Sequence, residues 1–594
     1  MRVKYQLGHF FRLKSATPRG PFFYSVQSAP GLGGIPEVCW KTSILLFSHW
    51  KFPVSDQPPN WFLNPFNGRE IIEPDRNWWE IPDFDPDVGD IKLTWEISRF
   101  DWVVAYAQLA RQGDKTYLVR LNNWLMDWCK HNPPYKGPNW KCGQEVSIRV
   151  IRLALAAIIT DQVGKETPGL RDIVGLHLMR IEPTVQYAMA QDNNHGTSEA
   201  AALFIGGSWL MAMGDTKASR WVDLGRKLIE NRASRLIGAM GSFSQYSLNY
   251  HRVMLDTFSI VEVWRNIHNL PLFSDVWYQK AESATRWLGN MVSPLNGDGP
   301  NVGANDGARL LQLANCPYRD YRPSVQLAMA LFAKKSAYPP GPWDDALKWL
   351  RVEAPQGVEL FQENYIAGDG GFAILRHDKI CMVMMRFPNF KFRPSQSDAL
   401  HIDLWVGGES VLPDAGSYSY NTEKHWFEYF GGSSSHNTIQ FDDRDQMPRI
   451  SRFLMTDWLR TNFMEPLTTD ELTNYFGAGY TDWQKATHRR QIRLNRASLK
   501  VIDTIEGSFK KATMRWRFRD SDFELQRISG NVVSVIFKKS KLKQISVSST
   551  VQIVDARISP GWESKHYFER TSLNVLEITV LNHAVLTTEI NWYL

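Results

Sequence analysis

Cysteine is scarce in this chain: five in 594 residues (Cys39, Cys129, Cys142, Cys316, Cys381), an odd and scattered set without a CxxC pair. That excludes a disulfide framework and a cysteine-based zinc site. Charge of one sign is also lacking. The 68 basic and 62 acidic residues leave a formal +6, and no Lys/Arg block stands out. No nucleic-acid partner is expected, while a polyanionic ligand is tolerated. Long apolar runs are missing too. The most apolar stretch, residues 200–213, is too short and too Gly-rich to cross a bilayer, so no membrane span is expected. The N-terminus MRVKYQLGHFFRLKS is basic but has no apolar h-region or small-residue cleavage site. No signal peptide is read from it, and the expected location is cytoplasmic, with a periplasmic one by a non-standard route left open. Short solenoid-type repeats are absent as well.

What is abundant is aromatic. Aromatics make up 13% of the chain, with 24 Trp. Two uses stay open: stacking on sugar rings, and filling a large helical shell. At 594 residues more than one domain is expected.

Residues 1–88 are irregular and rich in Pro and aromatics, and read as an N-terminal cap. From Asp90 the period becomes helical. Leu93, Ile97, Phe100, Val104 and Ala107 step along one helix face, as do Leu118, Leu121, Leu125 and Trp128, then Ile148, Ile151, Leu155 and Ile158. Short Pro- and Gly-rich connections imply antiparallel helix pairs over 89–352. After AYPPGPWDDALKWLRVEAPQG the period changes to 2, and strand-length runs such as GGFAILRH, KICMVMMRF and NVLEITV continue to the end. Residues 353–594 therefore read as an antiparallel β-sandwich domain. The fold class is α+β multidomain.

Three constellations could carry chemistry. Gln191-Asp-Asn193-Asn194-His195-Gly-Thr-Ser-Glu199 precedes an apolar helical run. Asn193, Asn194 and His195 are expected just before a helix N-terminus, whose free N–H groups suit a carboxylate; a plain capping turn is the alternative. Gly241-Ser-Phe-Ser-Gln245-Tyr246-Ser-Leu-Asn-Tyr250-His251-Arg252 enters a helix near Tyr250. His and Arg beside that phenol could lower its pKa from about 10; a buried hydroxyl beside a solvated His–Arg pair is the alternative. In the β domain, Arg393, Gln396, Asp398, His401, Asp403, Asp414, Tyr418, Tyr420, His436 and Asn437 form a polar set, open to reading as a metal site or as a hydrogen-bonded network.

Taken together, DIKLTWEISRF, GPNW…GQEVSIRV, QDNNHGTSEAA, GSFSQYSLNYHR, GANDGARLL, RPSQSDALHIDLW, LPDAGSYSYN and SSSHNT resemble, in order, the heparinase II/III-like polysaccharide lyases, which include alginate and heparin/heparan lyases. The resemblance covers roughly residues 61–440. It implies an incomplete (α/α) toroid followed by a β-sandwich domain, and β-elimination on an acidic polysaccharide or oligosaccharide. It implies Asn194 and His195 at the substrate carboxylate, Tyr250 as the proton-transfer residue with Tyr246 one turn away as its substitute, and His401 as a β-domain histidine reaching the cleft. Substrate-binding roles follow for Asn193, Tyr246, Arg252, Arg393, Gln396 and Trp140. Gln396 stands where the family often has His and cannot shuttle a proton. No cofactor is required. A structural zinc would rest on Asp414 and His436, with Asp398 or His401 as a further ligand. Two other readings remain: a uronyl C5-epimerase of polysaccharide assembly, and a non-catalytic glycan-binding protein.

Overall fold

The computed structural model describes residues 17–593 except 166, 360, 362, 363 and 471; the basic first sixteen residues lie outside the described part. Residues 17–90 form a cap with a hairpin, Ser43–Leu46 paired with Trp50–Pro53. Its Phe22, Phe23, Trp40 and Phe47 are buried in the helical core.

Helices then run from Ile91–Ser98 to Asp345–Leu350 as antiparallel pairs, wound into an incomplete (α/α) toroid. Asp90 starts the first, its carboxylate accepting the Lys92 N–H at 3.0 Å. The single helix face expected from Leu93 to Ala107 is broken. Phe100 takes a left-handed φ of 68° and is fully buried, so Ile91–Ser98 and Asp101–Arg111 are separate helices. The break keeps the i, i+3/i+4 spacing in phase, which is why the sequence conceals it. The helix Asn194–Ala212 is apolar on nearly every side and packs on Gly143–Thr160 and Ser219–Leu236, as a central helix must. Trp102, Trp124, Trp128, Trp140, Trp209, Trp264, Trp277, Trp287 and Trp349 are fully buried here. Each removes about 150–250 Å² from water, about 4–6 kcal/mol before entropy is subtracted. Most of the tryptophan excess is thus core.

The β part opens with a five-stranded antiparallel meander, Tyr365–Ala367 through Glu409–Leu412. Both its faces are covered. Ala373, Leu375, Val383, Met385, Ile402 and Leu404 face the second core, shared with an eight-stranded sheet (Thr461–Thr469 to Ala584–Trp592) and a four-stranded one. Phe372, Ile374, Met382, Met384 and Trp405 face the helical core. Alternation at period 2 sends one set of side chains to each core. The helix Lys424–Gly431 interrupts the strands and was not expected from their period. No described helix is long and apolar enough to cross a membrane.

Candidate active site

A cleft of about 710 Å³ lies between the cap, the toroid and the loops at the end of the five-stranded sheet. Asn193, Asn194, His195, Tyr250, Arg393 and Gln396 all line it. Asn193 caps the helix Asn194–Ala212, its Oδ1 accepting the His195 N–H at 3.0 Å. The Asn194 N–H is taken by Gln245 Oε1 at 2.8 Å. Both leading N–H groups are therefore spent inside the protein. Those two N–H groups are not free for a carboxylate, contrary to the expectation for this helix end, while the Asn194 side chain lines the cleft wall.

His195 and Glu199 stand one turn apart. Burial lowers the His195 pKa from 6.5, and burial pushes the Glu199 carboxyl up to about 8. At neutral pH the imidazole is free base and the carboxyl holds its proton.

Tyr250 sits in the first turn of Leu248–Ile267, whose cap is Ser247, with Oγ accepting the Tyr250 N–H at 3.2 Å. Its phenol meets the Tyr420 phenol at 3.0 Å. Burial, then the neighbouring Asp306 carboxylate, raise the Tyr250 pKa well above 10. The expected lowering by His251 and Arg252 does not occur, because successive helix residues point in different directions. His251 stacks on Trp287 at 4.3 Å, with Nε2–H donating to Ala284 O at 2.8 Å. Arg252 is buried between Tyr318 and Tyr321 and donates to Asn249 Oδ1 at 2.9 Å.

Four expected site residues do not reach the cleft. Arg252 is held as just described. Tyr246 turns away, its hydroxyl accepting the N–H groups of Lys391 (2.8 Å) and Phe392 (3.0 Å). Trp140 is 1% exposed, its indole donating to Asn132 O at 3.1 Å. His401 is fully buried, with Nδ1 accepting the Asn437 N–H at 3.0 Å. Gln396 lines the cleft but acts as a bracket: Oε1 accepts from Gly303 N at 2.9 Å and Nε2 donates to Gly416 O at 3.1 Å.

The sequence reading gave no role to Lys92, Asp306, Tyr420, Gln245, Arg449 or Arg452, all on the cleft wall. Lys92 Nζ lies 2.6 Å from Asp306 Oδ2 and 4.4 Å from the centre of the Tyr420 ring. Asp306 is framed by Gly303 (φ 76°) and Gly307 (φ 72°). A Cβ at Gly303 would lie 2.4 Å from Tyr246 O, and one at Gly307 2.6 Å from Phe47 Cβ. Only glycine lets this loop approach so closely. Arg99 is buried and grips Glu145 with Nε and one terminal nitrogen at 2.7 and 2.8 Å. Arg393, Arg449 and Arg452 make the β-domain wall positive.

A second polar cluster lies behind the cleft. His401, Asp414 and His436 offer two imidazoles and a carboxylate whose donor atoms fall within 4.8 Å of one another, all buried. Nε2 of each ring makes no hydrogen bond among the described residues, that of His401 lying 3.3 Å from Asp414 Oδ2, and this donor set is one zinc accepts. Asp398 is apart from it, 3.6 Å from Arg386 Nε. His436 Nδ1–H donates to Asp414 Oδ2 at 2.8 Å. Burial opposes both charges, but their attraction outweighs it, raising His436 and holding Asp414 down at about 2. The donor atoms of the trio are close enough together to hold a divalent ion. The trio does not line the cleft.

Comparison with known proteins places the family and the fold. Residues 49–301 match the heparinase II/III N-terminus family and residues 366–593 the heparinase II/III-like C-terminal family. A heparin-sulfate lyase of Bacteroides stercoris is 20% identical over 523 residues, 81% of this chain and 72% of that one. A heparinase III crystal structure superposes with a TM-score of 0.64 at 16% identity, covering 89% of this chain and 80% of that one. Heparan sulfate lyase HepC from Pedobacter heparinus gives 0.56 at 17% identity, covering 93% and 81%.

Proposed function

The chain belongs to the heparinase II/III-like family, and on that premise we propose that it is a polysaccharide lyase cleaving a uronate-containing acidic polysaccharide by β-elimination. The observation that supports this above all is the meeting of Asn194, His195 and Tyr250, from two helix N-termini, in one cleft. The positive β-domain wall suits an acidic chain.

In the reaction the C5 proton leaves, the C4–O4 bond breaks, a C4=C5 double bond forms, and the departing O4 gains a proton. The C5 proton is weakly acidic because the adjacent carboxylate is already negative. Hydrogen bonding by the Asn194 carboxamide lets charge spread into that carboxylate, and one such preorganised donor is worth about 3–4 kcal/mol in the transition state. Neutral His195 can accept the C5 proton, and Tyr250, protonated in the free cleft, can give its proton to O4. No water attacks, so no pair of carboxylates spaced for hydrolysis is needed. If an ion fills the His401–Asp414–His436 cluster it supports the loops and takes no part in these steps.

A panel of uronate polysaccharides tests the proposal, following ultraviolet absorbance of the unsaturated product and deuterium uptake at C5. Absorbance growing with enzyme is expected. Deuterium uptake without cleavage would point to an epimerase instead, and neither signal would leave a binding protein.

A further inference from the structure

Away from the cleft, the cap and the β domain meet through a second pair of histidines. His49 stands in the turn of the cap hairpin. His566 and Glu569 stand in the β-domain loop between the strands Asp555–Glu563 and Thr571–Val580. None of the three lines the cleft. One donor atom from each falls within 4.8 Å of the others. His49 Nε2 is 3.5 Å from Glu569 Oε1. That is longer than an ordinary N–H···O bond of about 2.7–3.2 Å. It is close to the spacing of two ligands on one tetrahedral zinc, about 3.4 Å for metal–ligand bonds of about 2.1 Å. His566 Nδ1 is shut off from solvent and makes no hydrogen bond among the described residues, a state in which buried polar atoms are seldom left. The two imidazoles lie face to face, with centroids 3.9 Å apart and planes within 7°. An ion shared by both would tilt these rings toward each other, which half-buried side chains can do. The backbone on each side is held in place. Phe47 and Ser48 take left-handed φ values of 51° and 58°, uncommon for residues with side chains, and Phe47 packs on Tyr567 and Phe568 at 5.1 and 5.2 Å. Across the junction, the Glu569 N–H donates to His566 O at 2.9 Å, which fixes this pair in one turn.

We infer that His49, His566 and Glu569 form a zinc site that clasps the cap to the β domain. Two imidazoles and a carboxylate are ligands that zinc takes, with water in the fourth position. Glu569 supplies the negative charge. Burial, then His49, hold the His566 pKa down at about 3, so its ring binds a metal without first giving up a proton. Arg319 and Lys565 are the other cations acting on His566, and Arg319 is already matched by Asp298 at 2.7 Å. The site is distinct from the fully buried His401–Asp414–His436 set. Its ligands come from opposite ends of the chain, so a bound ion closes a very long loop of the unfolded protein. It also braces the cleft from behind. Tyr567, which lies between two of the ligands in sequence, accepts the Tyr420 N–H with its hydroxyl at 2.9 Å, and Tyr420 lines the cleft. The ion is structural: it stiffens the junction and takes no part in turnover.

The test uses the full chain, freed of metal by a chelator and titrated with zinc against a chromophoric competitor. Glu569→Gln keeps the shape of the side chain and removes the charged ligand. His49→Gln removes an imidazole. Each variant should bind one zinc fewer than wild type, or bind it at least about tenfold more weakly, since losing even an outer partner of a metal ligand costs about 10–100-fold. Zinc should raise the melting temperature of the wild type and raise it less in either variant, while Glu569→Gln without zinc should melt near the wild type. Hydrogen exchange on the wild-type chain needs no variant: zinc should slow exchange in the segments that hold His49 and residues 566–569. Equal zinc binding by the wild type and both variants, no zinc bound at all, or protection confined to the segments of the His401–Asp414–His436 set overturns the inference. The lyase reading stands in each of those outcomes, because it uses none of these three residues.

Discussion

Replacing Tyr250 by Phe removes one oxygen from the meeting point of both domains. The ring remains, packed in the helical core at 7% exposure, so the backbone of Leu248–Ile267 has no reason to move. The lost hydroxyl touches Tyr420 at 3.0 Å. Stranding one buried partner costs about 1–3 kcal/mol, within the usual reserve of about 5–15 kcal/mol. The chemical loss should be larger. With no phenol to protonate O4, kcat should fall about 100- to 10,000-fold, or about 3–5 kcal/mol of barrier, while KM changes little because Asn194 and the arginines remain. Initial rates of unsaturated product formation give kcat and KM, and circular dichroism melting gives the stability term. Tyr420→Phe is the control: it removes the neighbouring hydroxyl and should cost much less in kcat. Near wild-type turnover by Tyr250→Phe, or an equal loss in Tyr420→Phe, would refute the assignment of proton transfer to Tyr250.

Asn194→Ala should lower kcat by about 3–4 kcal/mol of barrier, and its combination with Tyr250→Phe should be less than additive in rate assays, since both act on one step. Burial lowers the His195 pKa, so its contribution to stability is present above the unfolded value of about 6.5 and is lost as pH falls through the folded one. His195→Asn should therefore flatten the acid side of a melting-temperature profile as well as reduce turnover; an unchanged profile would count against a buried neutral imidazole. His436→Ala should cost up to about 3–5 kcal/mol in denaturant unfolding, because the buried Asp414 carboxylate loses its 2.8 Å partner and keeps only His401 at 3.3 Å and the Gly416 N–H. A strong chelator should leave kcat unchanged, whereas lost turnover with an intact fold would assign the cluster a catalytic role.

The two-part architecture was legible because hydrophobic period is a local property: 3.6 in the toroid, 2 after residue 365. Asn194, His195 and Tyr250 were legible as family motifs. The neighbourhood of Tyr250 was not. His251 and Arg252 adjoin it in sequence, yet helical geometry turns them into the core, while its actual neighbours are far away. Tyr420 is 170 residues distant, and Lys92 is 214 residues from its partner Asp306. Lys92 and Asp306 each stood inside a quoted motif, DIKLTWE and GANDG, but nothing in either string says that they pair. His401 was misplaced for a related reason. Its sheet is covered on both sides, so a polar residue at its edge has an interior to enter as readily as a cleft.

That doubly covered sheet also limits how such a molecule can diverge. A side chain on any of its central strands answers to one core or the other, and a shift of the backbone answers to both at once. Drift in the frame is therefore checked twice, while the loops at its ends, which carry Arg393, Tyr420 and Gln396, and the Arg449–Arg452 hairpin beyond them, are checked only where they touch the cleft. New sugar preferences can accordingly arise by rewriting those loops, with the distances among Asn194, His195 and Tyr250 inherited unchanged.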